Sequence, residues 1–291
     1  MSTELVTELR KMGNLLSLGG RVPLAQSLLR RCFRHAQGVI RIKDFDGDLD
    51  LDLDVSEHMQ RRIFWMGYYS REIVALLDRI VHRGMVFIDV GANIGEITLV
   101  AAKRVGGAGQ VISFEPMDAV ADKLVANIGR NRLDQVTVVR TGLADAVGSA
   151  PIYASCGQGA DHDEHHGLGS LYGGSAGEVA VQTIQITTLD SFLALNPISR
   201  LDIVKIDIEG AELPCLKGAV QTLRRFKPLL IIEVQAQSST TAGYQQADIL
   251  DYLAPLGYRF QSIGRSGRLR PLGARDLASY QNVLCTPTDK Q

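Results

Sequence analysis

The sequence predicts an α/β fold on an open, mostly parallel sheet. Three stretches predict it. Val86-Phe87-Ile88-Asp89-Val90 is a short apolar run that breaks at Gly91-Ala92-Asn93-Ile94-Gly95, with Ile97, Val100, Ala101 and Val105 following at helical spacing. Val111-Ile112-Ser113-Phe114 is a second run and stops at Glu115-Pro116. Ile203-Val204-Lys205-Ile206 is a third and leads into Asp207-Ile208-Glu209-Gly210-Ala211-Glu212. Runs this apolar are strands buried on both faces. In a parallel sheet their acidic ends share one edge, where open α/β sheets hold ligands.

Composition narrows the class. The 291 residues are 45% hydrophobic and 22% charged, with formal net charge −1. That profile is globular and has no bulk field suited to nucleic acid. No apolar run nears the ~20 residues that span a bilayer, and the N-terminus shows no apolar signal core. Cys32, Cys156, Cys215 and Cys285 are widely spaced, which reads as free thiols in a cytoplasmic setting.

In chain order, residues 1–37 read as helical, broken near Gly19-Gly20 and Pro23, and basic through Arg10, Lys11, Arg21, Arg30, Arg31 and Arg34. The basic face is either solvated or set against an anionic membrane surface, and a homodimer contact is a further use. Leu49, Leu51, Leu53 and Val55 alternate with Asp48, Asp50, Asp52 and Asp54, which is a strand with one wet face. With Val39 to Ile42 it makes a hairpin that turns at Asp46-Gly47. A calcium loop starting at Asp44 fails, because Leu49 and Val55 stand where Gly and Glu are needed. Residues 1–60 are therefore expected to be a helical and hairpin extension, with the main domain at 61–291.

Arg61 to His82 reads as helices leading to the first strand. Ala119 to Arg130 is a helix, Val136 to Val139 a strand, and Thr141 to Asp145 a turn beside any bound base, so Ala144 or Asp145 could read its edge. Residues 150–187 break the strand–helix rhythm and predict an inserted hairpin with a long loop. That loop carries Asp161, His162, Asp163, Glu164, His165 and His166, which allow metal ligation, a histidine base, or simple solvation. Thr188-Leu189-Asp190 starts a helix. Further strands are expected at 228–234, 258–263 and 281–286, with a helix near 247–256.

The glycine turn decides between ligands. A dinucleotide fingerprint needs glycines where this chain has Asn93 and Glu96. Asp89 would repel a pyrophosphate but suits a cationic, amine-bearing ligand. S-adenosylmethionine, with a sulfonium and no phosphate, fits that preference. Glu115, about 20 residues on, is placed to accept ribose hydroxyls, and Pro116 closes its strand. Lys205 among Asp207, Glu209 and Glu212 would perturb their titration, as catalytic sites do. A structural Lys–Asp pair with capping glutamates is the alternative.

Asp89-Val90-Gly91-Ala92-Asn93-Ile94-Gly95, Phe114-Glu115-Pro116, Gly169-Ser170-Leu171, Thr188-Leu189-Asp190 and Lys205-Ile206-Asp207-Ile208-Glu209-Gly210-Ala211-Glu212 resemble the FkbM-type methyltransferases. The resemblance covers roughly residues 60–234. It implies a class I methyltransferase fold, Rossmann-like, with seven strands of which the last is antiparallel. It implies methyl transfer from S-adenosylmethionine to a hydroxyl of a sugar, glycolipid or polyketide-type natural product. Asp89, Gly91, Asn93 and Gly95 would then hold the methionine end, Glu115 the ribose, and Asp207 would sit near the sulfonium. Ser170, His165 and His166 are candidate acceptor contacts. A base is expected from Asp207, Glu209 or one loop histidine, with Lys205 tuning the carboxylates. A Mg²⁺ ion bridging Asp207 and Glu209 is a second arrangement. A nicotinamide oxidoreductase and a non-catalytic cofactor-binding scaffold are the competing classes.

Overall fold

The computed structural model describes Arg10 and residues 37–154, 169–172, 180–273 and 276–288. The chain divides into two compact units, Met1–Ser70 with Cys156–His166, and Arg71–Ser155 with Gly167–Gln291.

In the first unit, strands β1 (Val39–Phe45) and β2 (Leu49–Asp54) pair antiparallel as the expected hairpin. Asp46 and Gly47 take positive φ of 48° and 96° at its turn, a conformation Asp tolerates and Gly favours. Leu49, Leu51 and Leu53 are buried, as their alternation requires. Helix α1 (His58–Met66) buries Ile63, Phe64 and Trp65. Arg10 donates to the Phe64 carbonyl at 2.7 Å and to Asp44 at 2.8 Å. The rest of the expected N-terminal helical stretch lies outside the described residues.

The second unit begins with helix α2 (Arg71–Ile80). Then come β3 (Val86–Val90), α3 (Glu96–Val105), β4 (Gln110–Phe114), α4 (Asp118–Arg130) and β5 (Val136–Val139). A smaller sheet follows, from β6 (Gly142–Leu143), β7 (Gly148–Ala154), β8 (Gly169–Ser170) and β9 (Ala180–Thr187), in the order β6-β9-β7-β8. Helix α5 (Leu189–Leu195) starts at Thr188, whose side chain accepts from the Ser191 N–H. The unit continues with β10 (Ile203–Ile206), α6 (Glu212–Lys217), α7 (Val220–Phe226), β11 (Leu229–Gln235), α8 (Ala236–Thr241) and α9 (Gln246–Leu253). It ends with β12 (Tyr258–Ile263), β13 (Leu269–Pro271) and β14 (Tyr280–Pro287).

The main sheet has the order β13-β12-β14-β11-β10-β3-β4-β5. Strands β5, β4, β3, β10 and β11 run parallel, and β14 is antiparallel to β11. Among the described residues this sheet has eight strands rather than the expected seven. The addition is β13, a three-residue edge strand folded back on β12 by a turn at Gly264–Gly267.

Strand alternation splits the core into two layers. Ile88, Ile112, Val204, Ile206 and Ile232 pack with Leu189, Leu216, Leu223 and Leu250 from α5, α6, α7 and α9. Phe87, Asp89, Val111, Ser113 and Lys205 fall on the other face by the same alternation, and α3 packs against β3 and β4. No helix among the described residues is long and apolar enough to cross a membrane.

Candidate active site

A polar row crosses three buried strands. The register sets Lys205 beside Asp89 and Asp89 beside Ser113. Asp89 is 0% exposed. Its Oδ2 accepts from Thr98 Oγ1 at 2.7 Å, and Thr98 Oγ1 lies 2.8 Å from Ser113 Oγ. Its Oδ1 faces the Lys205 ammonium at 3.4 Å, too poorly aimed for a hydrogen bond. Lys205 is 4% exposed, donates to the Gly91 carbonyl at 3.0 Å, and lies 3.4 Å from Asp207 Oδ2. Burial opposes both charges, so each depends on the other. In Asp89 burial wins and raises the carboxyl. In Lys205 burial is outweighed by Asp207 and Asp89, and the ammonium is held above its usual range.

Above this row the chain turns. Gly91 has φ 78°, and a Cβ there would sit 1.9 Å from the Asp207 carbonyl oxygen. Only glycine lets the ends of β3 and β10 approach this closely. Asn93 takes φ 49° and accepts the Ile94 N–H on its own side chain at 2.7 Å. Gly95, at φ 103°, sits where a Cβ would meet Leu124 at 2.7 Å.

Glu115 is pinned by backbone donors. Its Oε2 accepts from the Asn93 N–H at 2.9 Å and its Oε1 from the Met117 N–H at 3.0 Å. Pro116, between them, has no N–H to compete. Burial raises the Glu115 carboxyl to about 7, while the two N–H donors pull the other way.

The loop after β10 is also tightly held. Asp207 is 30% exposed in its side chain, the most open member of the group around Lys205. Glu209 takes φ 50°, unusual for a side chain of its size, and Gly210 follows at φ 102°. The Glu212 carboxylate accepts from Ile208 N–H at 3.0 Å, from Gly210 N–H at 3.0 Å, and from the Tyr244 hydroxyl at 3.1 Å. Burial raises the Glu209 carboxyl to about 7, and the charges of Asp207 and Glu212 push in the same direction.

The other expected residues divide. Ala144 is buried, and its N–H donates to the Thr187 carbonyl at 2.9 Å. Ser170 does come to the loop after β10, but its hydroxyl donates to the Glu209 carbonyl at 2.9 Å and accepts from Tyr172 N–H at 3.1 Å. His165 and His166 lie outside the described residues. Among the described residues no group of three or more His, Cys, Asp or Glu side chains is arranged to hold a metal ion, so the bridging Mg²⁺ finds no support. Two neighbours went unread in the sequence. Glu233 on β11 has its carboxyl held well above the usual range by burial, with Asp207 and Glu209 adding to it. Tyr172 is raised by burial and by the charges of Asp145 and Glu212. Glu233 had a signal, a carboxylate inside an apolar strand like Asp89; Tyr172 had none.

Five parallel strands with an antiparallel β14 make the sheet of a class I methyltransferase fold, and carboxylates gather at the strands' carboxyl ends. A family model described as the methyltransferase FkbM domain matches residues 89–260. The chain belongs to the FkbM methyltransferase family. It is 26% identical over 172 residues to the hexuronic acid methyltransferase AglP of Haloferax volcanii, covering 57% of this chain and 63% of AglP. It is 28% identical over 233 residues to the AMB antimetabolite synthetase AmbE of Pseudomonas aeruginosa, covering 70% of this chain but 10% of AmbE. The chain thus spans less than two thirds of the length of either relative. A crystal structure of an FkbM methyltransferase from Methylobacillus flagellatus KT superposes with TM-score 0.45 and 19% identity, over 70% of this chain and 43% of that one.

Proposed function

We propose that this chain transfers the methyl group of S-adenosylmethionine to a hydroxyl of a sugar, glycolipid or polyketide-type natural product. Glu115 carries the reading. Its carboxylate closes β4, is fixed by two backbone N–H groups, and stands beside the Gly91–Gly95 turn. Each oxygen keeps a lone pair for a ribose hydroxyl. Asp89 and Asp207 each lie 3.4 Å from the single Lys205 ammonium, with Glu233 also in its field, a donor set that suits a cation and repels a phosphate. AglP's action on a hexuronic acid supports a sugar acceptor.

The cofactor supplies a methyl group already activated by the sulfonium. The protein's share is alignment, exclusion of water and removal of one proton. In this reading the Gly91–Gly95 turn and Glu115 fix the donor. Asp207 borders the sulfonium, and Lys205, 3.4 Å from its Oδ2, keeps it in place. Glu209, at about 7, accepts the acceptor's proton near neutral pH.

Incubation with tritiated S-adenosylmethionine and a panel of hexuronic acid glycosides and neutral hexosides tests the assignment. Label should enter at least one hydroxylated acceptor. Asp207→Asn should reduce that incorporation by about 10²-fold or more. Unchanged turnover with unchanged cofactor affinity in Asp207→Asn would remove that residue from the mechanism.

A further inference from the structure

Ser170 was expected to touch the acceptor, yet its hydroxyl is committed elsewhere. It donates to the Glu209 carbonyl at 2.9 Å across 39 residues of chain. The strand that presents it is threaded tightly. A Cβ on Gly169 would come within 2.5 Å of Ile152 and 2.9 Å of the Met117 sulfur. Strand β8 is thus wedged beside Met117, itself bonded to Glu115, and bonded to the loop after β10.

That loop needs holding. Glu209 at φ 50° is a non-glycine residue in the left-handed region, a state that lasts only where its surroundings impose it. Glu212 holds the N–H groups on either side, and Ser238 donates to the Glu209 carboxylate at 3.3 Å. Among the described residues, the hydrogen bond to the Glu209 carbonyl is the one that comes from the small sheet. The same loop begins at Asp207, whose carbonyl abuts Gly91. Its order therefore bears on the turn proposed to hold the methionine end.

We propose that Ser170 is a positioning residue, which locks the 207–212 loop against the Gly91 turn through the Glu209 carbonyl. The proposal builds on the methyltransferase reading given above. It assigns the small sheet a role as a brace of the donor site, beyond any part in covering it.

Hydrogen exchange of the full chain, with calorimetry of S-adenosylhomocysteine on the same samples, tests it. Loss of one hydrogen bond of this kind changes an opening equilibrium by roughly fivefold. Ser170→Ala should speed exchange across 207–212 by about that factor and weaken S-adenosylhomocysteine by a similar one. Ser170→Cys keeps the bulk but is a weak donor, and should behave like Ala. Ser170→Thr keeps the hydroxyl and should restore both. If Ser170→Ala fails to fold, the Cys and Thr pair decides. Exchange and affinity unchanged in Ser170→Cys would overturn the proposal. Exchange that speeds up in the alanine and cysteine variants, with wild-type protein that does not bind S-adenosylhomocysteine, would sink the methyl-donor assignment and leave the brace standing.

Discussion

Glu115 and Glu209 stand at the carboxyl ends of the same sheet, and burial lifts both carboxyls to about 7. Their neighbours differ. Glu115 has two backbone N–H donors that favour its charge, whereas Glu209 has two more carboxylates that oppose it. The first arrangement makes a fixed acceptor of hydrogen bonds. The second makes a group that gains from taking a proton. In the proposed reading one edge thereby offers a holding half, around β3 and β4, and a reacting half, around β10 and β11. Lys205 lies between them, bonded to the Gly91 carbonyl and flanked by Asp89 and Asp207.

The comparison breaks most completely if that link is cut. Lys205→Met leaves Asp89 buried without its cation and should cost about 3–5 kcal/mol in thermal or urea unfolding. Asp89→Asn in the same chain should recover part of the loss, because the two sites share one interaction. Next in size is the exchange of roles. Glu209→Gln should lower turnover by about 10²-fold or more while S-adenosylhomocysteine binds within about twofold of wild type. Glu115→Gln should do the reverse, weakening S-adenosylhomocysteine by about tenfold and slowing turnover at saturation far less. Equal effects of the two variants on binding would erase the distinction.

Proton linkage gives a finer test. The folded value near 7 lies above the ordinary 4.5 for both glutamates, so the folded protein binds more protons between those values. Their contribution to stability is fully present below pH 4.5 and is lost as pH rises to 7 and beyond. Glu209→Gln should flatten that fall in a pH series of unfolding curves. Affinity moves the opposite way. If the charged Glu115 holds the ribose, S-adenosylhomocysteine should bind roughly tenfold more tightly at pH 8 than at pH 6. The smallest effect belongs outside both halves. Thr188→Ala removes the cap of α5 and should cost about 1 kcal/mol of stability with binding unchanged.

Much of the holding half was legible in the sequence because its signals are local. An apolar run, a glycine turn and an acidic strand end within about 30 residues announce the β3, α3 and β4 unit. The positions of Lys205, Asp207 and Glu209 were legible for the same reason. What stayed hidden depends on distant contacts. At the start of helix α7 the Gln221 and Thr222 N–H groups donate to the Asp190 carboxylate, some thirty residues away. Helix α8, Ala-Gln-Ser-Ser-Thr-Thr, has no apolar period to betray it. Ser170 looked like a free hydroxyl facing an acceptor, since nothing in the sequence announces that the Glu209 carbonyl meets it. Glu233 was hidden inside Leu229–Val234, where the apolar run drew the reading toward packing.

One titration reaches the centre of the account: calorimetry of the wild-type chain with S-adenosylhomocysteine and, separately, with NAD. The acidic edge predicts one molecule of S-adenosylhomocysteine per chain, bound in a Glu115-dependent way, and no heat from NAD. Saturable binding of NAD, or S-adenosylhomocysteine bound equally well by Glu115→Gln, would contradict it.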